Sequence, residues 1–308
     1  MRQPITTSTT APHRADNIPL AVGTIIFTVF ALSLGDALIK LSSGSFVLWQ
    51  IFVLRSALVI PVLIGVMAIG TPAALRLPTA LGWTLLRSLL LVAMWVSYYL
   101  SLPHLPLSVA AAAYYTLPIF ITLLSALLTG ERIARTGWVS VFIGFAGMWL
   151  ILRPAAEGFT VYALLPLLSA ILYALAMILT RTRCRDEHPL MLSLALNITF
   201  VGVGMGATTL IAALPDEARS GFLLAEWSAM GAAEWRAMFL LALAILIGSV
   251  GAAIAYQNAP PAMIGSFDFA YVGFAVLWSF LIFAEMPDAL SLLGIALIVG
   301  AGILSLRR

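Results

Sequence analysis

Ten stretches of this chain are apolar from end to end, and each has the roughly 20 residues that a helix needs to cross a bilayer. No water is available inside hydrocarbon to bond free backbone groups, so each stretch must close its own hydrogen bonds as an α-helix. The stretches run approximately 19–43, 47–69, 79–102, 107–128, 136–152, 160–180, 189–213, 235–258, 260–283 and 288–306. Short connections marked by Pro and Gly separate them, such as Gly44, Pro72, Pro103, Pro189, Pro260 and Pro287. The fold class expected is an all-α integral membrane protein with ten transmembrane helices. Composition agrees: 62% of residues are hydrophobic and 9% charged, against about a quarter charged in soluble domains.

Charge fixes an expected orientation. With an even number of spans both termini lie on one side. If that side is the cytoplasm, the inner segments hold Arg2, Arg14, Arg76, Arg132, Arg135, Arg181, Arg183, Arg185, Arg307 and Arg308, and the outer ones only Arg153, Arg219 and Arg236. Ten against three follows the positive-inside rule. The arginines lie between spans and form no basic domain, so nucleic acid is not an expected partner. Residues 1–18, polar and rich in Thr and Pro, read as a disordered cytoplasmic tail. The run after them is too long for a signal-peptide core and reads as an uncleaved helix. The single cysteine, Cys184, excludes an internal disulfide and a multi-cysteine metal site. The outer connection Leu214–Glu234 reads either as a short interfacial helix or as a plain loop.

The span Ala110–Arg132 has a counterpart in Gly265–Met286, offset by 154 residues, half the chain. Both end at a glutamate, Glu131 and Glu285. Five spans per half is an odd number, so the second half enters the membrane upside down. The expected division is residues 1–18 as tail, 19–152 as one five-helix repeat and 153–308 as its inverted partner. Inverted repeats allow a central site to be exposed to each face in turn.

Pro118 in mid-span followed by Gly130, Glu131 and Arg132, with Gly144 and Gly147 in span five, Lys40 late in span one and Leu54–Arg55 in span two, resembles the drug/metabolite transporter superfamily in its ten-helix EamA-type branch. In the second half Ala284 replaces the corner glycine, Met286 the basic residue, and Val272 stands where Pro118 would repeat. The resemblance implies a carrier of small organic solutes in a bacterial-type inner membrane. The aromatic-rich, ten-helix pattern further resembles exporters of amino acids, including aromatic ones.

Ionisable groups inside spans cost about 2.5–3.5 kcal/mol each on insertion scales, so they require a reason. Depth sorts Asp36, Lys40 and Arg55 into an outer cluster and Arg87 with Asp268 into an inner one. They are either neutralising ion pairs and snorkelling cations, or groups that line the pathway, meet a zwitterionic solute or gate one face. Trp95, Tyr98, Tyr114, Tyr115, Tyr173 and Tyr271 form a second set near mid-membrane. They are either ordinary packing or the aromatic wall of a substrate cavity. Tyr99 reads as part of the interfacial belt. Pro118 is expected to break span four and free the carbonyl of Tyr114, and span nine to bend less; Pro166 offers span six a weaker break. The Gly202–Gly206 pair suits helix packing or a dimer face.

A secondary transporter working by alternating access is the function expected, an exporter of aromatic or other neutral amino acids first. Uptake or exchange of a sugar-like solute or an organic cation is the alternative. The sequence holds no Walker loop, so ATP is not the direct energy source, and no cofactor or metal is expected. Proton coupling is open, with Asp36 and Asp268 as the groups able to carry a proton. An intramembrane enzyme would need a metal-binding His motif, a Gly-x-Ser-x-Gly turn or paired catalytic aspartates. None is present, so no catalytic residue is assigned. A monomer or weak dimer in the lipid bilayer is expected.

Overall fold

The computed structural model describes residues 16–42, 45–129, 135–152, 160–268 and 270–305. The Gly130–Glu131–Arg132 corner, Arg153 and the two chain ends lie outside the described residues. Among those described, regular structure is entirely helical. The elements are α1 (Ile18–Ser42), α2 (Leu48–Gly70), α3 (Leu81–Ser101), α4 (Leu107–Tyr114), α5 (Leu117–Thr129), α6 (Arg135–Leu152), α7 (Leu165–Thr182) and α8 (Pro189–Ala212). They continue as α9 (Gly221–Leu224), α10 (Ala232–Asn258), α11 (Pro261–Phe267), α12 (Ala270–Phe283) and α13 (Ala289–Ser305). Eight segments are long and apolar enough to cross a membrane, counting α4 with α5 and α11 with α12 as one each. The shorter apolar helices α6 and α13 complete ten.

The packing follows the repeat. α1 lies on α10 as α7 lies on α3, and α12 lies on α1 as α5 lies on α7; α2 meets α8, and α6 meets α13. Exchanging the first five spans with the last five maps this set of neighbours onto itself. At the α6–α13 crossing the helices touch backbone to backbone: a Cβ built on Gly147 would stand 2.6 Å from the carbonyl oxygen of Gly294. Side chains such as Leu127, Phe142, Ile198, Leu210 and Phe239 face outward. In a bilayer that apolar exterior is the expected one, because lipid and not water surrounds it.

Span four breaks where Pro118 led us to expect. α4 ends at Tyr114, and Tyr115 and Thr116 form a turn. The Thr116 backbone N–H and its hydroxyl both donate to the carbonyl of Ala113, at 3.3 and 2.9 Å. α5 then opens with Pro118 as its second residue, a position whose N–H the helix does not use. Span nine is interrupted at the matching place, where Asp268 keeps helical backbone angles of φ −56° and ψ −24° and Phe269 lies outside the described residues. α11 ends at Phe267, and Asp268 closes a tight turn, its carbonyl accepting from the Tyr271 N–H at 2.9 Å. The two breaks fall at Tyr115 and Asp268, 153 residues apart and one short of the repeat offset. Pro166 is different. It is the second residue of α7, following a 3-10 turn over Val161–Leu164, so it starts a helix and does not kink one.

The corner after α12 shows what the sequence substitution of glycine does. Ala284 has φ 53°, in the left-handed region. Its N–H bonds to the carbonyl of Phe280, and the Glu285 N–H reaches back to Ser279, both at 3.1 Å. This is a helix C-terminal cap of the kind that normally uses glycine. The connection between α8 and α10 holds a 3-10 turn at Asp216–Ala218, the single helical turn α9 and a segment tied to α2. Trp49 Nε1 donates to Leu223 O at 2.9 Å and Gln50 Nε2 to Ser228 O at 2.8 Å.

Candidate functional site

The two helix breaks meet at the centre of the molecule, and tyrosines fill the space between them. Tyr271, one turn after the α11–α12 break, donates its hydroxyl to Asp36 of α1. Its oxygen is also 3.2 Å from the hydroxyl of Tyr98 on α3. Tyr115, in the α4–α5 turn, stacks on Tyr271 with ring centroids 4.8 Å apart. Tyr114 packs against Tyr98 at 5.3 Å and edge-on to Tyr173 of α7 at 6.0 Å. Tyr173 in turn meets Tyr256 of α10 at 6.0 Å. Tyr256 donates to Asp268 Oδ2 at 2.5 Å. The row thus runs from one buried carboxylate to the other. Asp36 is 2% exposed and Asp268 1%, and Oδ1 of Asp268 has no partner among the described residues.

Small residues make this arrangement possible. Ala110 to Ala113 of α4 are all fully buried, so the broken span can lie against both α12 and α7. Gly248 and Gly251 let α10 close on Leu32 and Thr28 of α1. Beside the tyrosines a cavity of about 30 Å³, room for a single water, is lined by Leu32, Arg87, Trp95, Tyr173 and Ser249.

The charged groups are arranged differently from the two clusters that depth suggested. Lys40 does not join Asp36; its Nζ donates to both Glu285 oxygens at 3.0 Å and to the Leu105 carbonyl at 3.2 Å. Arg55 makes no direct ion pair with Asp36 but interacts with it from the far side of Tyr99, which meets both. It donates from Nη1 to the Tyr99 hydroxyl at 3.2 Å and sits among the rings of Phe52, Phe200, Trp95 and Tyr99. Arg87 does not reach Asp268. Its Nε donates to Thr180 Oγ1 at 2.6 Å and Nη1 to the Leu192 carbonyl at 3.5 Å. Equal depth fixes height in the bilayer but not direction around each helix, and direction chose the partners.

Polar contacts gather at both faces, most of them between the halves. At the face where α1 ends, the Lys40–Glu285 pair joins α1 to the corner after α12. At the face where α1 begins, Arg181 and Arg185 pair with Asp16 at 3.1 and 2.7 Å. Gln257 at the end of α10 donates to the carbonyls of Cys184 and Glu187 at 2.9 and 2.6 Å. Glu187 in turn accepts from Thr79 and the Ala80 N–H at 2.6 and 2.8 Å.

Several of these residues escaped sequence reasoning. Tyr256 lies close to the end of its span and resembles a belt residue, yet it is fully buried. Tyr99, expected in the belt, is 2% exposed and bonded to Arg55. A tyrosine whose helical face also carries buried small residues, as Tyr256 follows Ala252, Ala253 and Ala255, was the available signal. Among the described residues no group of three His, Cys, Asp or Glu side chains is placed to hold a metal.

A ten-helix bundle of inverted halves, broken at its centre around buried carboxylates and aromatic rings, defines a small-molecule membrane transporter. Residues 19–153 match the EamA-like transporter family. A riboflavin transporter of Rhizobium johnstonii is 30% identical over 238 residues, which are 77% of this chain and 73% of that protein. The chain belongs to the EamA-like transporter family. A pseudopaline exporter of Pseudomonas aeruginosa is 26% identical over 279 residues, 90% of this chain and 92% of that one. An S-adenosylmethionine uptake transporter of Rickettsia bellii is 25% identical over 223 residues, 70% and 69% of the two chains. A crystal structure with 20% identity shares the fold, with a TM-score of 0.67 over 93% of this chain and 96% of its own. These relatives support transport of small organic molecules, and amino-acid export in particular is not what they are named for.

Proposed function

We propose that this chain is a secondary transporter that carries a compact organic solute with an aromatic ring and a charged or zwitterionic end, by alternating access. An aromatic amino acid is the simplest solute of that description, and export is the direction that the resemblance to amino-acid exporters favours. The observation that supports it is the row of Tyr98, Tyr114, Tyr115, Tyr173, Tyr256 and Tyr271 between Asp36 and Asp268, buried where both halves break. Aromatic faces hold a ring by stacking, and a carboxylate among them draws an ammonium group. Residues 19–152 and 153–308 move as the two inverted halves. The termini are cytoplasmic, in keeping with the arginine bias. Asp36 and Asp268 are the groups able to couple a proton.

A flavin is the second reading, favoured by the 30% identity to a riboflavin transporter. Its planar ring system suits the same tyrosine walls. Counterflow in liposomes loaded with unlabelled solute separates the two. Labelled tryptophan and phenylalanine should exchange faster than labelled riboflavin, with and without a pH gradient. Riboflavin flux without amino-acid flux overturns the first reading, and no flux of any solute overturns both.

A further inference from the structure

Arg55 lies two turns into α2, 2% exposed, with only one of its nitrogens bonded among the described residues: Nη1 donates to Tyr99. Nε and Nη2 have no hydrogen-bond partner among the described residues. Those two N–H groups share one edge of the guanidinium, the edge that forms two parallel hydrogen bonds to a carboxylate. The rings of Phe200 and Phe52, 4.6 and 4.9 Å from Cζ, offset part of the cost of burying the charge. They cannot satisfy in-plane donors. A guanidinium does not shed its proton in a protein, so a buried one with an open edge leaves two in-plane donors to be satisfied by an acceptor.

Asp36 offsets the Arg55 charge from the far side of Tyr99, which interacts with both, but its carboxylate is taken up by Tyr271 and does not reach the open edge. Glu285 is held by Lys40. The position of Arg55 joins it to the tyrosine row. Trp95 lies 5.9 Å from its Cζ and also lines the central cavity. Tyr99 carries its hydrogen bond and packs 6.2 Å from Tyr98, which meets Tyr271.

We propose that Arg55 is the carboxylate-binding residue of the transport site, and that the solute carries a carboxylate which takes Nε and Nη2 together while its ring lies toward Trp95 and Tyr98. This rests on the reading of the chain as a carrier of ring-bearing solutes and narrows it to aromatic acids and zwitterions.

The test is a binding measurement independent of flux. Thermal unfolding of the purified protein is followed with tryptophan, indole-3-propionate and 3-phenylpropionate, each beside its carboxamide. The acids should raise the midpoint and the amides should not. Arg55→Gln should abolish the response, and Arg55→Lys, which keeps charge but not the fork, should raise the half-saturating concentration about tenfold. Equal responses to acid and amide overturn the assignment, as does an undiminished response in folded Arg55→Gln. The acid–amide comparison needs only the unmodified chain, so a variant that does not fold leaves it decisive. No response to any acid also overturns it, while riboflavin counterflow would then keep the carrier reading. Acid binding without any counterflow would instead overturn transport and leave Arg55 as a carboxylate site.

Discussion

Ala284 shows how one side chain can be at odds with its backbone. The corner after α12 needs a left-handed residue so that the Glu285 N–H can reach Ser279 and Glu285 can turn toward Lys40. An alanine there pays for its Cβ by about 1–2 kcal/mol. Ala284→Gly should therefore raise the unfolding midpoint, with the gain offset in part by glycine's greater freedom in the unfolded chain. A lowered midpoint in a denaturation series would show that the corner is not held in this conformation. The same corner carries the glycine in the first half of the sequence, at Gly130, so the cap was legible as a pattern before its strain was visible.

Helices in this molecule meet by the smallest residues available. α6 and α13 cross with the Gly147 and Gly294 backbones in contact, whereas a Cβ on Gly202 of α8 would meet nothing within 4 Å. Gly147→Ala should destabilise by about 1–3 kcal/mol, since the new methyl meets a carbonyl oxygen and cannot rotate away. Gly202→Ala should be neutral or stabilising by up to about 1 kcal/mol, because alanine is the better helix former. Unfolding of both variants in the same detergent checks the contrast, and equal effects would refute this crossing. The breaks belong to the same scale. Pro118 announced one of them. The other arises at Asp268, whose carboxylate is drawn to Tyr256, and no local rule marks an aspartate in an apolar run as a helix end.

Across the whole molecule, the ties at the two faces involve different chemistry. Among the described residues, one face carries the Lys40–Glu285 ion pair backed by a carbonyl, while the opposite face combines the Asp16–Arg181–Arg185 cluster with the Gln257 and Glu187 hydrogen bonds. Alternating access requires each set to open while the other stays closed. Lys40→Met should thus favour opening at the face where α1 ends. In a Cys184→Ser background, Ala37→Cys, fully buried one turn below Lys40, should react faster with a membrane-impermeant thiol reagent when Lys40→Met is added. An unchanged rate would remove the ion pair from the gating machinery.

Sequence alone determined the number of spans, their helical form and the duplication in halves of opposite orientation. Those follow from hydrocarbon thickness, from backbone groups that must bond internally, and from the parity of five. It also singled out Asp36, Arg55, Arg87, Asp268 and the tyrosines near mid-span as polar where polarity is costly, and the fold buries them. Tertiary structure decided who meets whom. Depth along a helix is written in the sequence, but rotation about its axis and the choice of neighbour come from the packing of ten helices at once. Lys40 finds Glu285 across 245 positions of chain, and Arg87 turns to Thr180 and not to Asp268 at its own level. Asp36, on the unbroken α1, and Asp268, where α11 ends, acquire the tyrosine partners Tyr271 and Tyr256 because neighbouring helices turn those rings inward.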